Sequence, residues 1–168
     1  ATIAPLAGDT VVLVGAASGS FADKNVGTGK AVTVAGLALG GADAGNYTLN
    51  LPAGLTANIT TAPLAVAGLA AQSRVYDGST AAPLVGAATV TPLAGDAVAL
   101  VGAATGSFAT RNVGAGKAVT VAGLALGGAD AGNYRLVLPA GLSADVTPAP
   151  LALQGVAAAN KVYDGGTA

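Results

Sequence analysis

The chain has 168 residues, 52% of them apolar, and its formal net charge at pH 7 is −1. Eight acidic residues, all Asp, are balanced by seven Lys and Arg residues, and the sequence contains no His, Cys, Met or Trp. The cations are scattered singly, which excludes the clustered basic surface of a nucleic-acid-binding protein. Without Cys there is no disulfide framework and no Cys-type zinc site, and no apolar run approaches the ~20 residues that span a bilayer.

The predicted elements, taken in chain order, begin with short strands. Segments rich in Val, Ile and Thr begin at Ala1, Val11 and Ala31, and clusters of Gly, Asp and Asn separate them, which is typical of strands. In the third segment, "AVTVAGLAL", the alternation of the apolar residues is interrupted at Ala35 and Gly36. This interruption predicts a bulge or a turn between two strands. No segment carries a helical apolar stripe over about ten residues.

Two later segments alternate between apolar and polar residues. These are "NYTLNLP", beginning at Asn46, and "LTANIT", beginning at Leu55. A period of two predicts strands. Both segments recur 87 positions later as "NYRLVLP" and "LSADVT", in which the apolar positions stay apolar while most of the polar positions change. One face of each strand is therefore predicted to be packed and the other solvated.

The whole chain repeats with a period of 87 residues. When residues 1–81 are aligned with residues 88–168 without gaps, 60 of 81 positions are identical. Such a period is the size of a domain, whereas the familiar solenoid repeats have about 20–50 residues. Cutting at the Pro-containing joints predicts an incomplete module at 1–65, a complete module at 66–152 and the opening strand of a third module at 153–168.

About seven short strands per repeat, with turn residues between them, predict an all-β fold. We expect tandem immunoglobulin-like antiparallel β-sandwich modules. The alternative is a β-grasp-like module, and a helix between strands would favour it.

The octapeptide "GGADAGNY" occurs at 40–47 and again at 127–134. Its pattern Asp-x-Gly-x-Tyr predicts a tyrosine corner, in which the Tyr ring packs inside and its hydroxyl bonds to backbone upstream. The Gly is expected to supply a backbone angle that other residues resist, and the Asp to accept a hydrogen bond from its own turn. A ligand loop and another β fold with a similar turn stay open. The residues given structural roles are Tyr47, Tyr134, Asp43, Asp130, Gly45 and Gly132.

Catalysis needs a titratable pair near a nucleophile. The chain lacks His, Cys and Glu and contains neither a Ser-x-x-Lys nor a Gly-x-Ser-x-Gly pattern, so we predict no enzyme and no cofactor. Calcium is an alternative, because Asp recurs in Gly-rich turns. Each turn offers one carboxylate, which favours an Asp that bonds its own backbone. The calcium candidates are Asp9, Asp43, Asp77, Asp96, Asp130 and Asp164.

Two further features have both a structural and a functional interpretation. Tyr76 and Tyr163 lead into Asp-Gly turns and are predicted to pack at strand ends, although an exposed adhesive aromatic is the alternative. Lys30 and Lys117 leave open a Lys–Asn isopeptide crosslink, which the absence of a catalytic Glu disfavours.

The motifs "VYDGST", "LAGD", "GSFADKNVGTGKAVTVAGLAL", "GADAGNYTL" and "ITTAPL" together resemble the YDG-type repeat of large bacterial exoproteins, including filamentous-haemagglutinin-like adhesins exported by two-partner secretion. The resemblance covers essentially the whole chain. It implies a stalk of tandem β-modules on a secreted or cell-surface bacterial protein, which spaces and presents an adhesive region in cell attachment or biofilm. No catalytic residues carry over. In the second copy Thr110 stands where the pattern has Asp23.

The partners implied are the neighbouring modules of the same chain and an unidentified host or cell-surface receptor. The low charge and the Pro-broken joint strand leave a second function open, a self-assembling extracellular filament subunit that associates laterally or end to end by β-strand addition.

Overall fold

The structure is a computed structural model that describes residues 1–167. Residue 168, the last residue of the segment predicted to open a third module, lies outside the described residues. Within 1–167 the regular structure is β-strand, apart from two single turns of 3₁₀ helix at Ala44–Asn46 and Ala131–Asn133. The predicted all-β class is therefore confirmed. The α-helix that would favour a β-grasp-like module does not occur in these residues, and none of their helices is long and apolar enough to cross a membrane.

The first copy of the repeat contributes five strands. They are β1 (Val12–Val14), β2 (Ser18–Phe21), β3 (Gly27–Ala35), β4 (Ala38–Gly40) and β5 (Thr56–Ile59). Five short strands follow: β6 (Ala62–Ala65), β7 (Ala70–Ala71), β8 (Arg74–Val75), β9 (Ala81–Ala82) and β10 (Leu84–Val85). The second copy ends with β11 (Ala99–Phe108), β12 (Gly114–Gly127), β13 (Tyr134–Val137) and β14 (Ser143–Thr147).

The strands lie in two compact units, each built from separate stretches of chain. The first unit consists of Ala1–Ala67, Ala88–Gly102 and Leu124–Leu138. The second unit consists of Gly68–Ala87, Ala103–Gly123 and the residues from Pro139 onward. The module boundaries predicted from the repeat stay predictions, because a compact unit need not coincide with one copy of the sequence.

The first unit contains three small sheets. β1 pairs with β4, and β3 pairs with both β2 and β5, all antiparallel. β6 and β13 pair in parallel. The buried apolar residues of this unit are Val11, Leu64, Val66 and Tyr134.

The second unit holds the larger core. It contains the β7–β10 pair, and the five-stranded sheet with the order β8-β14-β12-β11-β9 lies largely within it. Phe108 is 3% exposed and Val146 is 1% exposed. They form one cluster with Ala82, Val119 and Ala144. The core is small because few large side chains are available to fill it.

Several strand predictions need correction. The pairing is not antiparallel throughout, because β6–β13 and β8–β14 are parallel. The segment beginning at Ala1 contains no strand, and "NYTLNLP" of the first copy is likewise irregular, although its second-copy counterpart forms β13. A parallel partner, β6, accompanies that counterpart, whereas residues 47–50 pair with no strand within 1–167. Pairing, and not local sequence alone, decides which copy becomes regular.

The interruption of the alternation in "AVTVAGLAL" coincides with a glycine that has a positive φ. Gly36 has φ +84° and separates β3 from β4, and a Cβ there would lie 2.3 Å from the carbonyl oxygen of Ala16. The same residue in the second copy, Gly123, has φ +85° but lies inside the continuous strand β12. The residue is therefore Gly for a steric reason in both copies.

Candidate functional site

The second-copy corner is built around Tyr134, whose ring is buried and 8% exposed. Its hydroxyl donates to the Asp96 carboxylate at 2.7 Å and accepts from the Leu93 backbone N–H at 3.0 Å. Burial, together with the hydrogen bond to Asp96, raises the pKa of Tyr134. The hydroxyl thus connects the turn before β13 to a segment about forty residues upstream.

The first-copy corner has the same hydrogen bonds. The Tyr47 hydroxyl donates to Asp9 at 2.7 Å and accepts from the Leu6 N–H at 3.0 Å. The hydrogen bond to the Asp9 carboxylate raises the pKa of Tyr47. Tyr47 is only half-buried, so the same polar contacts form with less cover over the ring.

The Asp of each octapeptide reaches beyond its own turn. The Asp43 carboxylate accepts from the Thr10 N–H at 2.8 Å, and the Asp130 carboxylate accepts from the Ala97 N–H at 2.8 Å. The backbone of Asp43 returns a hydrogen bond to the Thr10 carbonyl at 3.2 Å. The expectation that this Asp bonds its own turn is therefore wrong, because its carboxylate is used to join two distant segments.

The glycine predicted to be conformationally required was also the wrong one. Gly45 and Gly132 do not have positive φ, and a Cβ at either would meet nothing within 4 Å. The glycines that adopt a positive φ stand four residues earlier, at Gly41 and Gly128, with φ near +107° and +106°. A Cβ at Gly41 would lie 2.3 Å from the Thr10 carbonyl oxygen, so a side chain there would break the paired backbone beside Asp43.

A lysine of the first copy binds the second-copy corner. The Lys24 ammonium contacts the Asp96 carboxylate and lies 3.2 Å from the Asp130 carboxylate. The side chain of Asp96 is 10% exposed and that of Lys24 is 60% exposed. Lys24 lowers the pKa of Asp96, and the hydrogen bond to Asp96 raises the pKa of Lys24. One cation therefore compensates two carboxylates that would otherwise repel each other.

The two residues after Lys24 add directional contacts. The Val26 N–H donates to the side-chain oxygen of Asn133 at 2.9 Å, and the Asn133 amide donates to the side-chain oxygen of Asn25 at 3.2 Å. A side-chain amide that both accepts and donates fixes the register of the loop more tightly than charge alone.

Strand β6 also covers the second-copy corner. It runs parallel to β13, with Ala62 opposite Tyr134 and Ala65 opposite Val137. The Val66 N–H donates to the Val137 carbonyl at 2.9 Å. Leu64 is 4% exposed and Val66 is 6% exposed. We call the contacts of Lys24–Val26 with the second-copy corner the joint.

Two regions of the sequence, residues 1–57 and residues 60–142, each match the model of the YDG domain. Together they cover most of the chain. The chain belongs to the YDG domain family. No curated protein and no solved structure gave a significant match.

The YDG triplet itself forms a charged turn in the second unit. The Asp77 carboxylate accepts from the Ser79 N–H at 2.8 Å and pairs with the Arg74 guanidinium, which lowers the pKa of Asp77 to about 2. Tyr76 packs against the core and donates its N–H to the Thr147 carbonyl at 2.8 Å. This Asp does bond its own turn.

The second YDG triplet has the same turn with an exposed tyrosine. Asp164 accepts from the Gly166 N–H at 3.0 Å and pairs with Lys161 at 2.6 Å, which lowers the pKa of Asp164. Tyr163 is 93% exposed. The predicted packing of a YDG tyrosine therefore holds at Tyr76 and not at Tyr163.

No group of three His, Cys, Asp or Glu side chains within residues 1–167 is placed to hold a metal ion. The six calcium candidates instead accept hydrogen bonds from the protein, as described for each corner and each YDG turn. Lys30 donates to the carbonyl of Asn25 at 2.6 Å and Lys117 to the carbonyl of Thr110 at 2.6 Å. Lys30 also pairs with the Asp23 carboxylate at 2.5 Å, and Lys117 donates to the Thr110 hydroxyl at 3.1 Å. Among the described residues neither lysine donates to an Asn side chain, which gives a Lys–Asn isopeptide crosslink no support.

Sequence reasoning missed the residues of the joint. The sequence patterns predict no role for Lys24, Asn25 and Asn133, and they indicate turn residues or calcium candidates at Asp9 and Asp96. The available signal was the comparison of the two YDG copies: the Asn residues are unchanged and Lys24 becomes Arg111, so the cation is kept. That comparison indicates that these residues are restricted to certain types, but it does not show which residues they contact.

Proposed function

We propose that this chain is part of an array of YDG modules that acts as a spacer in a long bacterial protein, secreted or held at the cell surface. The modules form a stalk that presents an adhesive region in cell attachment or biofilm and has no catalytic activity. We further propose that each 87-residue module is an immunoglobulin-like sandwich and that the parent protein is exported by two-partner secretion.

The observation that carries the proposal is the joint. A spacer needs its copies held in fixed relation, and the two YDG matches meet through a cation between two carboxylates and through amide contacts. Such a contact resists bending more than a free linker, whose ends move as a flexible coil.

The composition supports the same proposal. The side chains of Asp9, Asp43, Asp96 and Asp130 are each used in a structural hydrogen bond or ion pair. The low charged fraction of 9% suits a surface that packs against its neighbours.

The test is small-angle scattering on chains of two, three and four YDG copies, with calcium and with chelator. We expect the maximum dimension to grow by a constant ~30–40 Å for each added copy, about the length of a ten-residue strand. A maximum dimension that grows with only the square root of the copy number would contradict the spacer. Shortening in chelator would instead favour calcium at the joints.

The alternative, a self-assembling filament subunit, has one observation in its favour. Leu151 and Leu153 follow the second copy and are 98% and 85% exposed. Exposed apolar residues in a Pro-containing segment suit β-strand addition. A filament subunit would lengthen with protein concentration, whereas a spacer alone would have a fixed length at every concentration.

A further inference from the structure

The loop that supplies the joint is held by a lysine that is not itself part of the joint. The Lys30 ammonium donates to the Asp23 carbonyl at 3.1 Å and to the Asn25 carbonyl at 2.6 Å, so it bonds to the backbone on both sides of Lys24. The Lys30 side chain is 15% exposed, and none of its contacts among the described residues is with the second-copy corner. These contacts therefore act on the loop.

The start of strand β3 directs Lys30 at this loop. The pairing of β3 with β5 changes register between Gly27 and Lys30, as it does at a β-bulge, and a bulge re-aims a side chain. Gly27 directly follows the loop, and a Cβ there would lie 3.1 Å from the Lys30 Cδ atom. The lysine stem therefore lies against Gly27 while its ammonium reaches the carbonyls of the loop.

The second copy repeats this arrangement with a different residue at one position. The Lys117 ammonium donates to the Thr110 carbonyl at 2.6 Å and contacts the Asn112 carbonyl. Its stem lies against Gly114, where a Cβ would be 3.3 Å from the Lys117 Cδ atom. Thr110 stands in the place of Asp23, so the bonds to the carbonyls form without the carboxylate. The two copies therefore share the bonding of the loop backbone and not the ion pair.

We propose that Lys30 is the positioning residue of the joint. By bonding the carbonyls on both sides of Lys24, it fixes the backbone of the loop. The Lys24 ammonium then lies at the two carboxylates of the second-copy corner, and the Val26 N–H donates to Asn133. This role rests on the proposed spacer function, since it matters only where the joint holds two copies together.

The physical reason for such a residue is entropic. Lys24 is 60% exposed, and an exposed ion pair contributes little when side chain and loop must both be ordered to form it. A loop whose backbone is already fixed loses less entropy on binding, so the same contacts stabilise the joint more. Lys117 bonds its loop although Arg111 makes no ion pair in the part of the chain that the structure describes. The lysine contacts therefore do not depend on that ion pair.

The test measures the pKa of Asp96, a residue that Lys30 does not contact. Lys24 lowers this pKa from its ordinary value of 3.8, so NMR titration of the Asp96 carboxyl carbon reports whether Lys24 is in place. Lys24→Met should raise the pKa of Asp96 and defines the full effect. Lys30→Met should raise it by at least half as much. The double variant should raise it no further than Lys24→Met alone, because Lys30 acts through Lys24.

Two matched variants should leave the pKa of Asp96 unchanged. Lys117→Met removes the same lysine contacts from the second-copy loop, which does not bind Asp96. Asp23→Thr reproduces the residue of the second copy, where Lys117 bonds the loop beside Thr110. A raised pKa of Asp96 in either variant would overturn the proposal, because it would show a general loss of charge or a need for the ion pair.

Gly27→Val provides an independent variant that keeps the Lys30 charge and tests the proposal even where Lys30→Met does not fold. The new side chain would displace the lysine stem that lies against Gly27. It should raise the pKa of Asp96 in the same direction as Lys24→Met. Gly114→Val makes the same change in the second copy and should leave the pKa of Asp96 as it is in the parent.

Failure of the positioning role is distinguishable from failure of the spacer. A pKa of Asp96 that rises in Lys24→Met but not in Lys30→Met or Gly27→Val would overturn the role of Lys30 and leave the joint standing. An unchanged pKa in Lys24→Met would show that the joint does not form in solution, and it would overturn both.

Discussion

Tyr47 and Tyr134 make the same two hydrogen bonds in different surroundings. Each hydroxyl donates to an Asp at 2.7 Å and accepts from a Leu N–H at 3.0 Å. Only Tyr134 is buried, and β6 pairs with the strand that Tyr134 begins. The pair therefore separates the contribution of the corner hydrogen bonds from that of the burial of the ring.

Tyr134→Ala should destabilise the chain more than Tyr47→Ala. Truncating a buried aromatic leaves a cavity, and it also leaves the Asp96 carboxylate and the Leu93 N–H without their partner. We expect the melting temperature to fall by about 10 °C for Tyr134→Ala and by about half of that for Tyr47→Ala. Calorimetry on both variants measures this. Equal melting temperatures for Tyr134→Ala and the parent would show that the corner is not structural.

Lys24→Met should destabilise the chain in a pH-dependent way. Lys24 lowers the pKa of Asp96 from its ordinary value of 3.8. A carboxyl group with a lowered pKa contributes stability above its ordinary pKa, and this stability is lost as the pH falls through the lowered value. The difference between the parent and Lys24→Met should therefore be present at neutral pH, at about 2–4 °C in melting temperature, and should vanish in acid.

Arg111→Met is the matched control for that experiment. Arg111 occupies the same place in the second copy but forms no ion pair among the described residues. At low protein concentration its melting temperature should follow that of the parent at every pH. A Lys24→Met difference that persists below the lowered pKa of Asp96 would mean that Lys24 stabilises the joint through packing and not through charge.

At the scale of the strand, the same sequence packs differently in the two copies. Phe108 ends β11 and is 3% exposed, in a core formed with Val119 and Val146. The Arg74 guanidinium and the Lys117 ammonium lie 5.8 and 5.4 Å from the centre of its ring. Phe21 ends β2 and is 37% exposed.

Phe108→Ala should cost about 3–5 kcal/mol of unfolding free energy, the usual range for a buried aromatic. Phe21→Ala should cost about 1 kcal/mol or less of unfolding free energy, because truncating an exposed side chain leaves little buried cavity. Urea titrations of the two variants give the comparison. Similar losses in both would mean that Phe21 has a buried environment in solution.

Strand β6 allows a second matched pair. Leu64→Ala removes a side chain that is 4% exposed and should cost about 2–5 kcal/mol, whereas Leu151→Ala changes one that is 98% exposed and should stay within about 0.5 kcal/mol. Both substitutions fall in the tetrapeptide "APLA". A silent Leu64→Ala would show that β6 does not stabilise the second-copy corner.

The sequence predicted strands better than it predicted their partners. Alternation in "LSADVT" indicated which residues face inward, and Ala144 and Val146 are indeed buried while Ser143 is exposed. The parallel pairing of β6 with β13 was not predicted, because period two carries no information on the direction or identity of a neighbour. For the same reason "NYTLNLP" was predicted as a strand in a copy where no partner lies beside it.

At the scale of the whole molecule, alignment shows the period of 87 residues but does not show which contacts the repeated residues make. The corner Tyr could be predicted because Asp-x-Gly-x-Tyr is a local pattern. The joint could not, because Lys24 meets Asp96 across 72 residues and two copies. A single sequence gives only weak evidence for charge and amide contacts between residues so far apart. That evidence is the retention of a cation at residue 111 and of Asn at residue 112.

The central claim is that YDG copies are joined by a specific contact that keeps an array extended. Electron micrographs of single molecules of a long array test it most directly, by comparing end-to-end distance with contour length. We expect the two to stay nearly equal in the parent array, and the end-to-end distance to shorten when Asp replaces the residue equivalent to Lys24 at every joint. A parent array that coils as tightly as this variant would contradict the claim.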